Sequence, residues 1–301
     1  NDDSSTDQTQ EVVKTFNNLR IKFFKNPKNL GYPGNPEEAR KKANGEIIYL
    51  MGQDDILGKD ALLNTHKAFT ISKDIGAVTR PYFWFDKKIE KPVRAKKQMN
   101  PEKDEVVFIN KDSQKVVRVF ETLDQLSGLA YRKKYMDQPF HPDIFPCHVY
   151  PFVSIFKKHP IVFLKDYNVA VRISTSQSRK KSSIYNKSPI ISWVQMFENN
   201  FPEDNFAKLK NYCIKNFVTR NYIGLVQIRS YARYLYLLRE IWYLLKYRPL
   251  NILSLRFWFF SLGCLIMPSL VLIPLTDWYK NKIYSKTLKQ IKFEYKFVTG
   301  K

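Results

Sequence analysis

Acidic and small polar residues near the start of the chain form three blocks that could handle a charged ligand. Residues 1–7 read Asn-Asp-Asp-Ser-Ser-Thr-Asp, residues 28–31 read Lys-Asn-Leu-Gly, and residues 52–55 read Gly-Gln-Asp-Asp. Carboxylates at the ends of two strands can meet around a divalent cation, and hard cations such as Mg²⁺ or Mn²⁺ prefer oxygen ligands. Such a cation neutralises a diphosphate leaving group, so the blocks together indicate metal-assisted chemistry on a diphosphate compound.

Helices and strands that alternate along the chain must bring these blocks together. An unbroken apolar run at residues 47–51 predicts a buried strand that ends just before the third block. Pro36 opens the helix before it, and Gly45 ends that helix. The pattern also predicts helices at 11–16, 59–71 and 120–126, and strands at 19–24, 75–78, 127–132, 161–164 and 167–171. This alternation is typical of an α/β sheet domain.

Two segments interrupt the alternation of helices and strands. Residues 82–117 are charged and irregular, which predicts an insertion or a mobile loop over the site. Residues 177–187 are basic and rich in serine, which predicts a mobile segment.

Taken together, the three blocks resemble the start of the family 2 glycosyltransferases, which have a GT-A fold. That family commonly reads strand, Asp-Asp-Gly-Ser-Thr-Asp, helix, strand, Asn-x-Gly, helix, Gly-Glu, strand and Asp-x-Asp-Asp. Residues 2–7 match the first motif, with Ser4 in place of Gly. The other matches are Asn29, Gly31, Gly45, Glu46, Asp54 and Asp55. The resemblance is good over residues 1–60 and looser over residues 61–180.

The resemblance implies a Rossmann-like GT-A domain at residues 1–192, with a mixed sheet and flanking helices. Beyond the resemblance, the helical, aromatic and basic composition after residue 192 predicts a membrane-associated region at residues 193–301. The implied reaction moves a sugar from a nucleotide-diphosphate donor with the help of Mg²⁺ or Mn²⁺. Because the chain opens inside the first motif, we expect an N-terminally truncated fragment that lacks the family's first strand, helix and second strand.

The implied metal ligand is Asp54, with Asp55 beside it, although both residues could instead cap the helix that follows. Two positions depart from the family's pattern. Gly52 stands where the first Asp of the metal motif is expected, and Pro36-Glu37 replaces a common Arg-Asn pair. A degenerate, non-catalytic transferase is therefore an alternative, which the intact Asp54 disfavours.

The resemblance assigns the nucleotide to the first two blocks. Asp2 and Asp3 would contact the nucleotide, and Asp3 would contact its nucleobase. The sequence Asp-Ser-Ser-Thr-Asp also suits a simple turn. Asn29 and Gly31 would let the backbone pass close to the nucleotide, or could merely end a strand.

Cations that follow the last predicted strand of the domain could hold the diphosphate. Arg172, Gln177 and Arg179 lie in this stretch, and the planar guanidinium of arginine suits phosphate oxygens. The run of Arg179 with the two lysines that follow it could equally be a solvated surface.

An inverting transfer needs a base that takes the proton of the acceptor hydroxyl. The family supplies it from a Glu-Asp pair after a Phe-x-x segment, but residues 145–149 read Phe-Pro-Cys-His-Val. His148 is the candidate, because an ordinary histidine pKa of about 6.5 suits this task. Asp143 is the alternative base, and a purely structural role is the competing interpretation of His148.

Basic residues are concentrated in the second half of the chain. The net charge is +22, and residues 157–301 carry 25 Lys and Arg against 7 Asp and Glu. This asymmetry predicts a polyanionic partner, either an anionic membrane surface or nucleic acid. The three cysteines lack metal-ligand spacing, which predicts reduced thiols and fits a protein at the cytosolic face.

Residues 257–276 form an uncharged run that is long enough to cross a bilayer. Pro268 and Pro274 interrupt the run, and basic residues flank both of its ends, whereas a simple span should show them on one side. We therefore expect a helical hairpin or in-plane helices at the cytoplasmic face of the cell membrane. Buried helices of a soluble core are the alternative.

These expectations favour an inverting, metal-dependent glycosyltransferase of cell-surface polysaccharide synthesis. Its partners would be a nucleotide-diphosphate sugar, a glycan or polyprenyl-linked acceptor and an anionic membrane surface. The alternatives are the degenerate transferase and a basic nucleic-acid-binding protein. The sequence contains no recognised nucleic-acid-binding motif, and its apolar run favours lipid over nucleic acid.

Overall fold

The computed structural model describes residues 1–174, residue 179 and residues 183–296. The strands are β1 Ile47–Tyr49, β2 Ile56–Leu57, β3 Ala77–Thr79, β4 Tyr82–Phe85, β5 Pro92–Lys96, β6 Glu105–Val107, β7 Ala130–Arg132, β8 Ile161–Phe163 and β9 Val169–Arg172. The α-helices are α1 Thr9–Lys14, α2 Gly31–Lys42, α3 Ala61–Thr70, α4 Ser113–Thr122, α5 Val149–Lys158, α6 Pro189–Asn200, α7 Ala207–Asn216, α8 Ile223–Tyr231, α9 Tyr234–Tyr247, α10 Leu255–Ile266 and α11 Ser269–Trp278.

The strands form two mixed sheets. The first has the order β1-β7-β3-β8-β6, and the second has the order β2-β9-β4-β5. Each sheet contains one parallel pair, β3 with β8 and β4 with β9, and its other neighbours are antiparallel. This mixed α/β architecture with flanking helices fits the expected GT-A class.

Side-chain caps explain where several helices begin. The Asp112 carboxylate accepts hydrogen bonds from the first turn of α4, and Ser188 accepts one from Ile191 at the start of α6. Ser254 does the same for α10, where Phe257 N–H donates to its Oγ at 3.2 Å. These caps satisfy N–H groups that have no partner within the helix.

One hydrophobic core extends through both halves of the chain. Phe120 of α4 meets Phe197 of α6 with ring centroids 4.7 Å apart, and Phe257 of α10 is buried in the same cluster. The predicted boundary between residues 192 and 193 falls inside α6. The helical half therefore shares its core with the first sheet.

The strand predicted at residues 19–24 is wrong. Leu19 is 99% exposed, and the pairing in this part of the described chain is an isolated bridge between Asp2 and Lys25. Asp2 N–H donates to Phe24 O at 2.7 Å, and Asn26 N–H donates to Asp2 O at 2.8 Å. A stable strand needs cross-strand pairs along a buried face, and this segment has no such face.

Residues 82–117 are regular structure, so the prediction of an insertion or mobile loop is wrong. β4 and β5 form an antiparallel hairpin, β6 pairs with β8, and α4 follows. The charged Lys87 and Lys88 lie in the connection of the hairpin, while Phe83 and Phe85 are buried. The charges reflect a turn rather than an unstructured segment.

The strands predicted at 161–164 and 167–171 correspond to β8 and β9. They lie in different sheets, whereas the sequence predicted that both close a single sheet.

The uncharged run at residues 257–276 is divided between α10 and α11, with Pro268 between them, and both helices pack on α8. Among the described residues, none of the helices combines the length and the apolar character needed to cross a membrane. Membrane association stays a prediction. Of the segment at 177–187, residues 177, 178 and 180–182 lie outside the described residues.

Candidate functional site

The turn at residues 52–55 follows β1 and is tied to the loop that precedes β7. Gly128 N–H donates to Leu50 O at 2.8 Å, so the pairing of β1 continues beyond its end. Gly52 N–H donates to Ser127 Oγ at 2.7 Å. The third sequence block is therefore held against residues of a distant segment, as a site at a strand end requires.

The Asp55 carboxylate joins three segments. Its Oδ2 accepts hydrogen bonds from Ser127 Oγ at 2.5 Å and Gln125 Nε2 at 3.3 Å. Its Oδ1 accepts one from the backbone N–H of Arg172 at 3.0 Å, at the end of β9. Burial raises the pKa of Asp55 to about 6, and the neighbouring charge of Asp54 adds to that rise. A cation bound close to this carboxylate would favour its negatively charged form.

Arg80 holds the loop that contacts Asp55. Its guanidinium is fully buried and donates to three backbone carbonyls, with Nε 2.8 Å from Ser127 O, Nη2 2.8 Å from Gln125 O and Nη1 3.1 Å from Thr122 O. The sequence analysis missed this residue. An arginine two residues after the apolar strand predicted at residues 75–78 was the available signal, because a buried guanidinium must find several acceptors.

Three side-chain oxygens converge over Gly52. A Cβ atom placed there would lie 3.1 Å from Ser127 Oγ, 3.2 Å from Asp55 Oδ2 and 3.4 Å from Asp54 Oδ1. Within the described residues no group of three or more His, Cys, Asp or Glu could hold a metal. Mg²⁺ is commonly held by one or two carboxylates together with substrate phosphates, so the Asp54 and Asp55 oxygens fit a cation shared with a diphosphate.

The alternative that Asp54 and Asp55 cap the next helix is wrong. The residue at the N-cap position of α3 is Asp60, and β2 lies between it and the turn. Capping of α3 therefore does not explain the positions of these two carboxylates.

The first and second blocks meet at the start of α2. The Asp2 carboxylate accepts from the backbone N–H of Ser5 at 3.2 Å and from its hydroxyl. The Asp3 carboxylate accepts from the N–H groups of Leu30 at 2.8 Å and Gly31 at 2.9 Å. The bonds of Asp2 are the turn chemistry that was the competing interpretation of this block, whereas Asp3 contacts the distant start of α2. Nucleotide binding by both residues stays a prediction.

Asn29 and Gly31 complete this junction. Asn29 Nδ2 donates to Asp3 O at 3.2 Å, and its Oδ1 accepts from Gly31 N–H at 3.0 Å. Gly31 has φ +74°, a left-handed conformation that favours glycine. The Asn-x-Gly spacing therefore has a backbone reason, because it lets the chain turn sharply into α2.

Tyr32 connects α2 with His148, the residue that precedes α5. Burial raises the pKa of Tyr32 well above its usual value, and the charge of Asp55 is among the smaller causes of that rise. The Tyr32 hydroxyl lies 3.3 Å from His148 Nδ1. The start of α2 and His148 are thus neighbours in space, although the sequence separates them widely.

His148 is buried, and contacts at both ring nitrogens argue against the base predicted for it. Nε2 lies 2.8 Å from the Leu123 carbonyl oxygen, so it carries a proton and donates, while Nδ1 faces the Tyr32 hydroxyl. Burial lowers the pKa of His148 to about 4. These contacts and the lowered pKa favour a neutral ring at the N-cap position of α5, and a role as the base stays a prediction.

Asp143 is also buried and has partners of its own. Its Oδ1 accepts from Phe145 N–H at 3.2 Å, and its Oδ2 pairs with Lys187 Nζ at 2.7 Å. The Lys187 side chain is 47% exposed, whereas that of Asp143 is 1% exposed. Movement of this lysine would be needed before the carboxylate could meet an acceptor.

The two arginines predicted to bind diphosphate have different positions. Arg172 reaches the Asp55 turn through its backbone, and its Nε is buried without a hydrogen-bond partner among the described residues. Arg179 instead pairs with Asp277 of α11 at 2.8 Å and donates to the Tyr231 hydroxyl at 3.3 Å. Gln177 lies outside the described residues.

These elements define a mixed α/β protein with an acidic turn at the end of β1, which is the class of protein that the first blocks predicted. Residues 1–184 match the model of glycosyl transferase family 2, and this range covers more than half of the chain. The chain belongs to glycosyl transferase family 2, and its class of enzyme is the glycosyltransferases. The resemblance of the sequence to this family is confirmed.

Known relatives add a more limited likeness. Poly(ribitol-phosphate) beta-N-acetylglucosaminyltransferase TarS of Staphylococcus aureus strains Mu50 and MW2 is 40% identical over 63 residues. That match covers 20% of this chain and 11% of each relative. Among solved structures, mannosyltransferase PcManGT from Pyrobaculum calidifontis, in complex with GDP-Man and Mn²⁺, aligns over 87% of this chain and 74% of its own, with 14% identity and a TM-score of 0.46.

Proposed function

We propose that this chain transfers a sugar from a nucleotide-diphosphate donor to a glycan or lipid-linked glycan, with inversion and with a divalent metal. Family membership supports glycosyl transfer in general. The observation that carries the finer proposal is the convergence of the Asp54, Asp55 and Ser127 oxygens over Gly52. A few protein oxygens suit a hard cation whose remaining coordination positions are filled by a diphosphate.

Each residue of the turn has its own task in this proposal. Asp54 and Asp55 would hold Mg²⁺ or Mn²⁺, and the bound cation would neutralise the leaving diphosphate. Ser127 orients the Asp55 carboxylate, and Arg80 fixes the loop that carries Ser127. The guanidinium of Arg172 is the proposed contact to a phosphate oxygen, because its Nε lacks a partner in the described part of the chain.

The nucleoside is proposed to lie along the first two blocks. Asp3 would act chiefly by holding the start of α2, because its oxygens already accept hydrogen bonds from Asn26, Leu30 and Gly31. Asp2 would fix the preceding turn in the same way. Asn29 and Gly31 would supply the sharp backbone turn beside the nucleoside.

Asp143 is the proposed base, in preference to His148. A base must be able to accept the proton of the acceptor hydroxyl. His148 donates from Nε2, faces Tyr32 with Nδ1 and has a pKa of about 4. The Asp143 carboxylate pairs with the half-exposed Lys187, a partner that an incoming acceptor could displace.

Residues 193–301 are proposed to hold the enzyme at the cytoplasmic face of the cell membrane, with in-plane helices. α10 is apolar on two opposite sides although one of them is exposed, which supports this proposal because a surface helix of a soluble protein has one apolar side and a polar one. The buried side of α10 carries Phe257, Ser261 and Cys264. The exposed apolar stripe, at helical spacing, carries Leu255, Phe259, Leu262 and Ile266.

The acceptor is proposed to belong to cell-surface polysaccharide synthesis. The names of the staphylococcal relatives state transfer of N-acetylglucosamine to poly(ribitol phosphate). Because that likeness covers a small part of both chains, we use it only to choose ligands for a screen. An N-acetylglucosamine donor and a polyol-phosphate acceptor should therefore be included beside lipid-linked glycans.

Nucleotide release from a panel of nucleotide sugars, with and without EDTA, tests the proposal. We expect metal-dependent release for one donor, and a fall of about 100-fold or more in Asp54→Ala, because the leaving diphosphate loses its neutralising cation. Asp60→Ala is the matched control, since Asp60 is a nearby exposed carboxylate that makes no side-chain cap. EDTA-insensitive activity in Asp54→Ala would refute the metal assignment. Donor binding without any release would instead favour the degenerate, non-catalytic alternative.

A further inference from the structure

An open cleft lies where the segment between α7 and α8 meets the segment between α9 and α10. Its volume is about 320 Å³. The lining includes three arginines, Arg220, Arg248 and Arg256, and two leucines, Leu250 and Leu253. Cationic and apolar groups therefore face the same space. The candidate transferase site uses none of these residues.

A buried amide holds the central arginine of the cleft in place. Asn251 is fully buried, and its Oδ1 accepts from Arg248 Nη1 at 2.7 Å and from the Tyr222 hydroxyl at 2.6 Å. Asn251 Nδ2 donates to Leu244 O at 2.9 Å and Thr219 O at 3.1 Å. The guanidinium of Arg248 is thus oriented by a neutral group, which leaves its positive charge uncompensated.

The other charges of the cleft are uncompensated as well. Across the described residues no ion pair involves Arg220, Arg248 or Arg256. The cleft also includes Ser254, which caps the start of α10, and a helix N-terminus favours negative charge. Three unpaired guanidinium groups in one cleft suit an anion with several oxygens, such as a phosphate group.

Exposed leucines continue from the cleft onto the surface. Leu250 is 65% exposed, Leu253 is 78% exposed and Leu255, the first residue of α10, is 88% exposed. Leu255 begins the exposed apolar stripe described above. A soluble phosphate compound gains nothing from leucines beside its binding site, whereas a lipid presents a phosphate next to acyl chains.

We propose that this cleft binds the phosphate group of an anionic phospholipid, while Leu250, Leu253 and Leu255 enter the outer acyl region of the bilayer. The inference deepens the membrane attachment of the proposed function and rests on it. It assigns the attachment to a defined headgroup site rather than to the diffuse positive charge of residues 193–301. Lipid is favoured over nucleic acid because exposed leucines border the arginines, whereas Tyr222, the aromatic residue of the lining, is only 4% exposed and offers no face on which a base could stack.

Vesicle flotation with the full chain tests the inference, using phosphatidylcholine vesicles with and without phosphatidylglycerol. The test variant is Arg220→Gln/Arg256→Gln, since both side chains are exposed and Arg248, which contacts the core, is left intact. The matched control, Lys208→Gln/Lys215→Gln, removes the same charge from exposed positions of α7. We expect the arginine variant to lose about tenfold or more of its phosphatidylglycerol-dependent binding and the lysine control to lose less than about threefold.

Equal losses of vesicle binding in the arginine variant and the lysine control would overturn the proposal that the cleft binds a headgroup. Diffuse electrostatic attraction would then explain the binding. Leu253→Ser/Leu255→Ser should weaken binding to both kinds of vesicle, and unchanged binding would also overturn the proposal. If the protein binds glycerol phosphate tightly but does not bind vesicles, the ligand of the cleft is a soluble phosphate compound instead. Absence of vesicle binding by the unmodified chain would refute the attachment itself, while nucleotide release from a soluble donor reports separately on sugar transfer.

Discussion

At the scale of single residues, Asp55 is where stability and the proposed function oppose each other. Its carboxylate is held by Ser127, Gln125 and Arg172, yet burial raises its pKa to about 6. A raised pKa means that folding disfavours the charged form of the group. The charge therefore costs stability in the free protein and becomes favourable only beside a cation.

Asp55→Asn should separate these two effects. At pH 8 we expect the melting temperature of the metal-free protein to change little, because removal of the buried negative charge offsets the loss of one acceptor oxygen, whose place the amide nitrogen of Asn takes. Nucleotide release should fall by about 100-fold or more. Thermal unfolding and donor turnover are measured on the same preparation. A large loss of stability together with full residual activity would contradict both assignments.

His148→Ala should mainly affect stability. The change leaves the Leu123 carbonyl without its donor and opens a cavity, with an expected cost of about 2–4 kcal/mol in the free energy of unfolding. The turnover number of the folded protein should change less than about tenfold, since no general-base contribution is lost. Asp143→Asn is the comparison variant, in which turnover should fall. The reverse pattern would identify His148 as the base.

The pH dependence of His148 has a definite sign. The folded pKa is lowered to about 4, below the ordinary value of 6.5, because burial disfavours the charged ring. Its stabilising contribution is therefore complete above pH 6.5 and is lost as the pH falls from 6.5 towards 4. Urea unfolding of the unmodified protein should show this loss over that range, and His148→Ala should lack it. An equal slope in both proteins would show that other groups cause it.

At the scale of elements, the sequence predicted the segments whose pattern is local. The helix at residues 59–71 and the strand at residues 75–78 are confirmed as α3 and β3 within one or two residues. The hairpin of β4 and β5 was missed, because β4 is a short aromatic run without alternation and the connection and β5 contain several charged residues. The acidic turn was found from its residue types. The contacts of Asp55 with Ser127 and of Arg80 with the same loop join distant segments, which no local pattern reveals.

The loop before β7 depends on a glycine. Gly128 has φ +89°, and a Cβ there would lie 2.6 Å from Val169 Cγ2 and 2.7 Å from Arg80 Nε. Gly128→Ala should therefore destabilise the protein by about 3 kcal/mol, through backbone strain and displacement of Arg80. Gly263→Ala is the control, because nothing lies within 4 Å of its added methyl group and the residue is inside α10. It should stabilise by about 0.5–1 kcal/mol. Equal effects on the melting temperature would disprove this explanation.

At the scale of the whole molecule, the basic half is both a surface and a part of the core. Its outer side carries the arginine cleft and the exposed stripe of α10. Its inner side buries Phe197 of α6 and Phe201, the residue that directly follows that helix, against the core that includes Phe120 and Phe152. The composition of residues 193–301 indicated a separate region, because composition reports surface charge and does not report which side chains face inward.

A chain of residues 1–188, which ends before α6, should therefore fail to unfold cooperatively. Burial of Phe197 and Phe201 alone contributes about 3–6 kcal/mol, a large part of the roughly 5–15 kcal/mol that keeps a domain folded. A chain that ends at Lys296 is the control, and it should unfold in a single transition like the full chain. Calorimetry distinguishes the cases. A sharp transition for residues 1–188 near the melting temperature of the full chain would show that the sheets fold alone. In that case the boundary expected at residue 192 would be correct, and the shared core would be an interface between two domains.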